Sequence, residues 1–463
     1  MAENTAAAKK GNRIMVYSNK SDRIQVADRV ILGDGCVFST DPEETGINNN
    51  VLVVGGSGSG KTLSIAEPFL LESFHRSIIT TVTKRRIVNK YTPLLKRRGY
   101  TVWDLDFVHP ERGNIAYDPL DFIQNAQDIT FLARSVVLAN PRKERSHADP
   151  YWDEASISLL SAFISYVLLI REKPSFGDVL EMIDHLSFEE YNGQMRTNYD
   201  RKFEFLDESA ASGFAISNWK SFIRLPLKTA SCVFGTLNTT VDSVFGPELR
   251  KMFRMKKKVS FEQMAQKRTA LFVTSSPVNP SLNCFINMFY AHTFKQLFEF
   301  GEEQPDGMLP IPVHLLADDF ATGCPIPLFD QYISILREKQ ISVTLMCQSE
   351  SQLTSLYGSN AATTIINNCD SYVFMGSNDI STAQNISLRV NKPLEDILYM
   401  KLGNQILFRR GTKPRIGRRY NILENEIYKK ITREYEKRIA RNCRSAAEEK
   451  RNHSEITVMA RTN

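Results

Sequence analysis

Four glycines, two serines, a lysine and a threonine fall in eight consecutive residues, Gly55, Gly56, Ser57, Gly58, Ser59, Gly60, Lys61 and Thr62, directly after the apolar run 51–54. Glycines at this density let successive backbone N–H groups converge on phosphate oxygens, a lysine adds a point charge, and a threonine hydroxyl can ligate Mg²⁺. The spacing Gly55-x-x-x-x-Gly60-Lys61-Thr62, with a strand before it and a helix after it, predicts a site for a nucleoside triphosphate, ATP, together with Mg²⁺. Such a site needs a second half: a carboxylate at the end of another buried strand to hold the metal, and a group that positions a water. The stretch "VHLLADDFA" supplies it. Asp318 is expected to hold Mg²⁺ through its water shell, and Asp319 to polarise the attacking water. Glu is usual at the second position, and Asp is one methylene shorter, so slower hydrolysis or a displaced water is expected. Gln348 ends the apolar run "SVTLMCQ" and is a candidate sensor of the γ-phosphate, while Arg337, on the helix before it, is a candidate arginine finger toward an adjacent subunit. By themselves, a single Gln or a helical Arg is usually no more than a polar group facing water.

The elements that must position these groups read as alternating strands and helices. The apolar run 51–54 has the length and β-branching of a buried parallel strand, followed by a helix over about 61–74. "SIITTVT" (77–83) and "TVWDLDF" (101–107) are two further strands, with a helix around "IVNKYTPLLKRRG" between them, a βαβαβ order. Residues 1–13 read as flexible and 14–40 as a small strand-rich segment that includes "RIMVYS" and "RVILG". From about 124 to 259 the pattern turns to helical periodicity, which predicts an all-helical insertion. Alternation resumes at "TALFVTS" (269–275) and continues through "PVHLLADD" (312–319), "SVTLMCQ" (342–348), "SYVFMG" (371–376) and "QILFRR" (405–410). The expected units are an N-terminal arm with short strands (1–47), a nucleotide-binding domain in two parts (48–124 and 260–422), the all-α insertion (125–259) and a basic helical tail (423–463) whose last ten residues are loose.

Bulk properties narrow the class. With 42% hydrophobic and 24% charged residues over 463 positions, the chain has the composition of a folded protein of two or three units. Its net charge of +6 is uneven: residues 401–463 hold seventeen Lys and Arg against seven Asp and Glu. Such a tail can attract nucleic acid or an anionic membrane, and equally can be a solvated face. The seven cysteines form no C-x-x-C pair and read as buried thiols in a reducing compartment. The best apolar stretch, 157–170, is short of the ~20 residues of a membrane span and carries serines, which predicts a buried helix. No secretion signal opens the chain, so a cytoplasmic protein is expected.

Taken together, "GGSGSGKT", "NIAYDPLDFI" (114–123), "DPYWDEASISLLSAFISYVLL" (149–169), "ADDFATG" (317–323) and "QSESQLTSLYG" (348–358) resemble the type IV coupling proteins of conjugation, the TraG/TraD-like group of the FtsK/HerA class of DNA-pumping ATPases. The likeness spans most of residues 48–422. It implies a RecA-like P-loop NTPase domain with a mainly parallel sheet, interrupted by an inserted all-α domain. It further implies a homo-hexamer around a DNA channel, acting on single-stranded DNA joined to a relaxase and on the ATPases of a type IV secretion channel. In that group the acidic pair falls at Asp318 and Asp319, the sensor glutamine at Gln348, and the trans-acting arginine at Arg337, eleven residues earlier. Two departures stand out. Many members begin with membrane helices that this chain lacks, which implies a separate membrane anchor protein or docking by protein contacts at the inner face of the membrane. Where relatives often carry Asp-Pro-Lys after the second strand, Val82-Thr83-Lys84 keeps only the lysine.

In the insertion, Trp152 reads as a core aromatic and "NPRKERSH" (140–147) as a docking or solvated loop. A double-stranded DNA translocase with the same engine, and a scaffold that binds ATP without hydrolysing it, are the competing functions. ABC transport is disfavoured because no LSGGQ-like signature is present, and small-molecule kinase activity because an insertion of this length has no role there.

Overall fold

A computed structural model describes residues 28–139, 150–192, 194–206, 209–276, 279–320, 322 and 325–459. Thirteen strands run in chain order: β1 (Arg29–Gly33), β2 (Cys36–Ser39), β3 (Val51–Val54), β4 (Ser77–Val82), β5 (Thr101–Asp106), β6 (Phe188–Tyr191), β7 (Gln194–Thr197), β8 (Thr269–Thr274), β9 (Val313–Ala317), β10 (Ile341–Cys347), β11 (Ser371–Phe374), β12 (Asn404–Arg409) and β13 (Arg415–Arg418). Nine of them form the central sheet in the order β13-β12-β11-β3-β10-β9-β4-β8-β5. From β11 to β5 every pairing is parallel, and β12 and β13 close the other edge as antiparallel strands.

The central strands are apolar without alternation because helices cover both sheet faces. In β3, Val51 and Val53 face a layer that includes Phe69 and Leu70 of the helix after the phosphate loop and Tyr91 of the helix Arg85–Arg97. Leu52 and Val54 face the opposite layer, which is continuous with the core of the helical insertion. The long helix Pro150–Ile170 is the central member of that insertion and packs on Ala126–Val137, Ala210–Ile223 and Leu227–Val244. At 21 residues and a mean hydropathy of 1.5, it is the single helix among the described residues long and apolar enough to cross a membrane, yet most of it is buried. Its serines are satisfied internally: Ser165 donates to the Ser161 carbonyl at 2.7 Å and Ser158 to Asn218 at 2.8 Å. Trp152 packs against the same core, half buried.

Four expectations are corrected. The insertion is not purely helical, because β6 and β7 pair as an antiparallel hairpin. Asn192-Gly193 lies between them, and Asn192 has the left-handed φ of 54° that such a turn requires. β13 was absent from the sequence reading, since its Arg-Ile-Gly-Arg is exposed throughout and has no apolar face. The terminal helix runs Glu426–Met459, well into the stretch expected to be loose, as its Ala, Glu, Lys and Arg content favours. The cysteines are not uniformly buried: Cys347 and Cys369 are, while Cys232 and Cys443 are exposed. "RIMVYS", "NPRKERSH" and residues 1–13 lie outside the described residues.

Candidate functional site

The chain leaves β3 straight into the loop. Gly55 N–H donates to the Cys347 carbonyl at 3.1 Å and Gly56 N–H to the Gly376 carbonyl at 2.8 Å, so the loop is tied to the ends of the two strands flanking β3. Gly58 (φ 75°) and Gly60 (φ 90°) are left-handed, a conformation that side-chain-bearing residues rarely adopt. Lys61 is buried, and its Nζ donates to the Gly55 carbonyl at 2.6 Å and to the Gly56 carbonyl at 3.3 Å. The ammonium is thus held at the loop by neutral acceptors that a phosphate, as a charged acceptor, can outcompete. The loop exits through a π-helical turn, Thr62–Ala66, a geometry that is rare and concentrated at functional sites. Behind that turn Glu67 is fully buried, pairs with Lys90 and accepts from the Tyr91 hydroxyl at 2.8 Å. Burial, and then the Glu67 charge, raise the Tyr91 pKa.

Asp318 follows β9 directly and meets the loop: Thr62 Oγ1 donates to Asp318 Oδ2 at 2.8 Å, across 256 residues of sequence. The Asp318 carboxyl titrates above its ordinary range. Burial is the largest cause and the Asp319 charge adds to it, while the Thr62 hydrogen bond and the Lys61 charge oppose. Asp319 is held at φ 55°, a left-handed conformation that Asp tolerates better than most residues, with its N–H on Asp318 Oδ1 at 3.2 Å. Both aspartates line a cavity of about 200 Å³ with Thr83, Asn287, Tyr290 and Gln348. Gln348 is exposed at the end of β10, its N–H bonded to Gln352 Oε1 at 2.9 Å. Thr83 of the departed Asp-Pro-Lys position therefore faces the acidic pair, while Lys84 is exposed.

The eight loop residues, Asp318, Asp319 and Gln348 thus gather at the carboxyl ends of β3, β9 and β10. Arg337 does not join them. It is exposed on the short turn Leu336–Lys339 that precedes β10, at the amino ends of the strands, beside Asp28, Arg76, His314 and Ser342. Two groups at the site had no place in the sequence reading. Arg419 donates to the Ser59 carbonyl of the loop, and Glu67 and Lys90 form the buried pair behind it. Arg419 was one cation in a basic run, and only its return to the phosphate loop distinguishes it.

The site's chemistry suits Mg²⁺. Thr62 and Asp318 offer two hard oxygen donors in contact with each other, and among the described residues no cluster of three His, Cys, Asp or Glu could cage a metal by protein ligands alone. Mg²⁺ is characteristically held this way, by one or two protein oxygens plus waters and substrate phosphates.

Residues 2–392 match the family of type IV secretory system conjugative DNA transfer proteins. A search by sequence among curated proteins finds no match. Among solved structures, the bacterial conjugative coupling protein TrwBdeltaN70 in its unbound monoclinic form is similar with a TM-score of 0.61 at 17% identity, over 90% of this chain and 95% of that one. The plasmid coupling protein TrwB in complex with ADP and Mg²⁺ is similar with a TM-score of 0.59 at 17% identity, over 91% and 96%. VirB4 of Thermoanaerobacter pseudethanolicus follows with a TM-score of 0.53 at 12% identity, over 86% and 98%. At these identities the likeness is one of fold, and it extends over nearly the whole of both chains.

Proposed function

The chain belongs to the family of type IV secretory system conjugative DNA transfer proteins, and from that we infer that it is an ATP-driven coupling protein, a P-loop ATPase that delivers DNA to a type IV secretion channel. The observation that carries the reading is the 2.8 Å contact between Thr62 and Asp318, which joins the phosphate loop to the acidic strand end. TrwB has been solved with ADP and Mg²⁺ and with a non-hydrolysable ATP analogue, which supports the same ligands here.

In the proposed cycle, Lys61 exchanges the Gly55 and Gly56 carbonyls for phosphate oxygens, and the loop N–H groups cradle the rest of the triphosphate. Thr62 and Asp318 would hold Mg²⁺, which when bound neutralises charge on the phosphates. Asp319 orients the attacking water from the acidic cavity. Gln348, on the rim of that cavity, reports loss of the γ-phosphate to the helix Glu350–Tyr357 through its bond to Gln352. Arg337 completes the adjacent subunit's site, which requires a ring; a hexamer, single-stranded DNA, a relaxase and a position at the inner face of the membrane are the finer parts of the proposal.

ATP turnover measured with and without single- and double-stranded DNA tests the reading, alongside Lys61→Ala and a size measurement in nucleotide. Turnover that DNA stimulates and Lys61→Ala abolishes is expected. Full turnover in Lys61→Ala sinks it, and preference for double strands favours the translocase alternative.

A further inference from the structure

The family match ends at residue 392, and the segment that closes over the phosphate loop lies beyond it. After β13, the Arg419 N–H is pinned to the Gly403 carbonyl at 2.9 Å, and the preceding Arg418 carbonyl accepts from Asp34 N–H at 3.0 Å. The backbone is therefore fixed where the side chain departs. The Arg419 guanidinium then lies against the loop: Nη1 donates to the Ser59 carbonyl, and a Cβ placed on Gly60 would collide with it. Beside this contact opens a cleft of about 920 Å³, floored by Gly58, Gly60 and the exposed Leu63 and roofed by Tyr420, Ile422 and Glu424. Its volume is that of an ordinary small-molecule site. Lys61, Thr62 and Asp318 do not line it, so the cleft borders the loop on the side away from the metal-binding pair.

We propose that Arg419 is a nucleotide-contacting residue supplied by the same chain, which leaves the Ser59 carbonyl for the phosphate oxygens nearest the nucleoside while the nucleoside lies under the 420–427 turn. The inference rests on the nucleotide reading above and deepens it. Exchange of a neutral carbonyl for a phosphate gives the guanidinium a charge-assisted bond about twice as strong. The γ-phosphate belongs to Lys61 and the metal pair, so Arg419 binds ADP and ATP alike. The terminal helix also reaches the back of the loop: the centroid of its Tyr428 ring lies 4.1 Å from the ammonium of Lys90, the partner of Glu67.

Calorimetric titration with Mg-ADP and with a non-hydrolysable Mg-ATP analogue tests this on the full chain, wild type beside Arg419→Gln, Arg419→Lys and the exposed control Lys413→Gln. Arg419→Gln is expected to weaken both ligands by about 10- to 100-fold, the scale of a hydrogen bond to a charged group. Arg419→Lys should fall between, and Lys413→Gln should match wild type. Hydrogen exchange supplies a readout that a merely structural role would not move: ADP should protect amides 420–427 in wild type and fail to in Arg419→Gln, with ligand-free exchange and melting temperature the same in both. Unchanged affinity in Arg419→Gln overturns the proposal, as does a loss confined to the ATP analogue, or a ligand-free variant that already melts early and exchanges fast at 420–427. Wild type that binds neither nucleotide sinks the underlying reading as well, and so separates the two failures.

Discussion

Asp28 and Asp318 sit at opposite ends of the central sheet, both largely buried, and their carboxyl groups are driven in opposite directions. At the amino end, burial alone would raise Asp28, but the His75 hydrogen bond and the Arg76 guanidinium outweigh it and hold the group down at about 2. Its oxygens also accept from Phe74 N–H at 2.7 Å and pair with Arg76 at 2.7 Å. At the carboxyl end, burial prevails and the Asp319 charge adds to it, so Asp318 rises against the Thr62 hydroxyl, the Lys61 ammonium and the Asp319 N–H. A carboxylate whose cations are already present serves the fold. One left above its ordinary range in a cleft is a candidate functional group. The same end holds the left-handed Asp319 and the π-helical turn that follows the phosphate loop.

The largest expected effect would break this comparison at its most exposed point, the arginine at the wrong end of the sheet. Arg337→Ala should lower ATP turnover about 10³-fold, the scale of an arginine finger, with nucleotide affinity kept. Mixing it with Lys61→Ala should restore part of the turnover, because some interfaces then pair an intact loop with an intact Arg337. No restoration in steady-state assays of the mixture would remove the trans role. Next, Asp318→Asn should lower turnover about 10²- to 10³-fold, as loss of a charge-stabilising group does. Its melting temperature should not fall, since the variant removes a carboxylate that burial disfavours. A marked drop in a thermal melt would make Asp318 a structural residue like Asp28.

Asp28→Asn should do the reverse, costing about 2 kcal/mol of stability at neutral pH by linkage and leaving turnover per folded molecule intact. The sign follows from a folded pKa of about 2, below the ordinary aspartate value of 3.8. The stabilisation is present above the unfolded value and is lost as pH falls through about 2. Denaturant melts from pH 5 to pH 2 should therefore show a flatter acid limb in the variant. The smallest effect belongs to Gln348→Ala: DNA-stimulated turnover should fall about tenfold, the scale of one hydrogen bond, with basal turnover kept. A loss of both rates would make it part of the hydrolytic machinery.

Much of the site was legible because its signals are local. A phosphate loop is a backbone conformation, and conformation is written in neighbouring residues, here Gly58 and Gly60 at positive φ before Lys61. Strand ends carrying Asp318, Asp319 and Gln348 were legible for the same reason, as breaks in apolar runs. Hairpin β6–β7 was missed although Asn192-Gly193 announced it, because its strands are short and largely exposed and lack an apolar face. β13 is exposed along its whole length and pairs only by backbone groups, which no side-chain pattern encodes.

What the sequence determined by itself is the set of parts: the loop, the buried strands, the acidic pair and the long apolar helix. Tertiary structure alone decided their neighbours. It inserted β8 between β4 and β5 and β9 between β4 and β10, which set Asp318 against Thr62 and sent Arg337 to the far end. It also folded Arg419 back onto Ser59 across 360 residues. The physical reason is the range of the forces involved. Backbone preference and apolar periodicity act within a few residues, whereas strand order follows from burying both faces of one sheet at once, a condition that only the whole chain can satisfy.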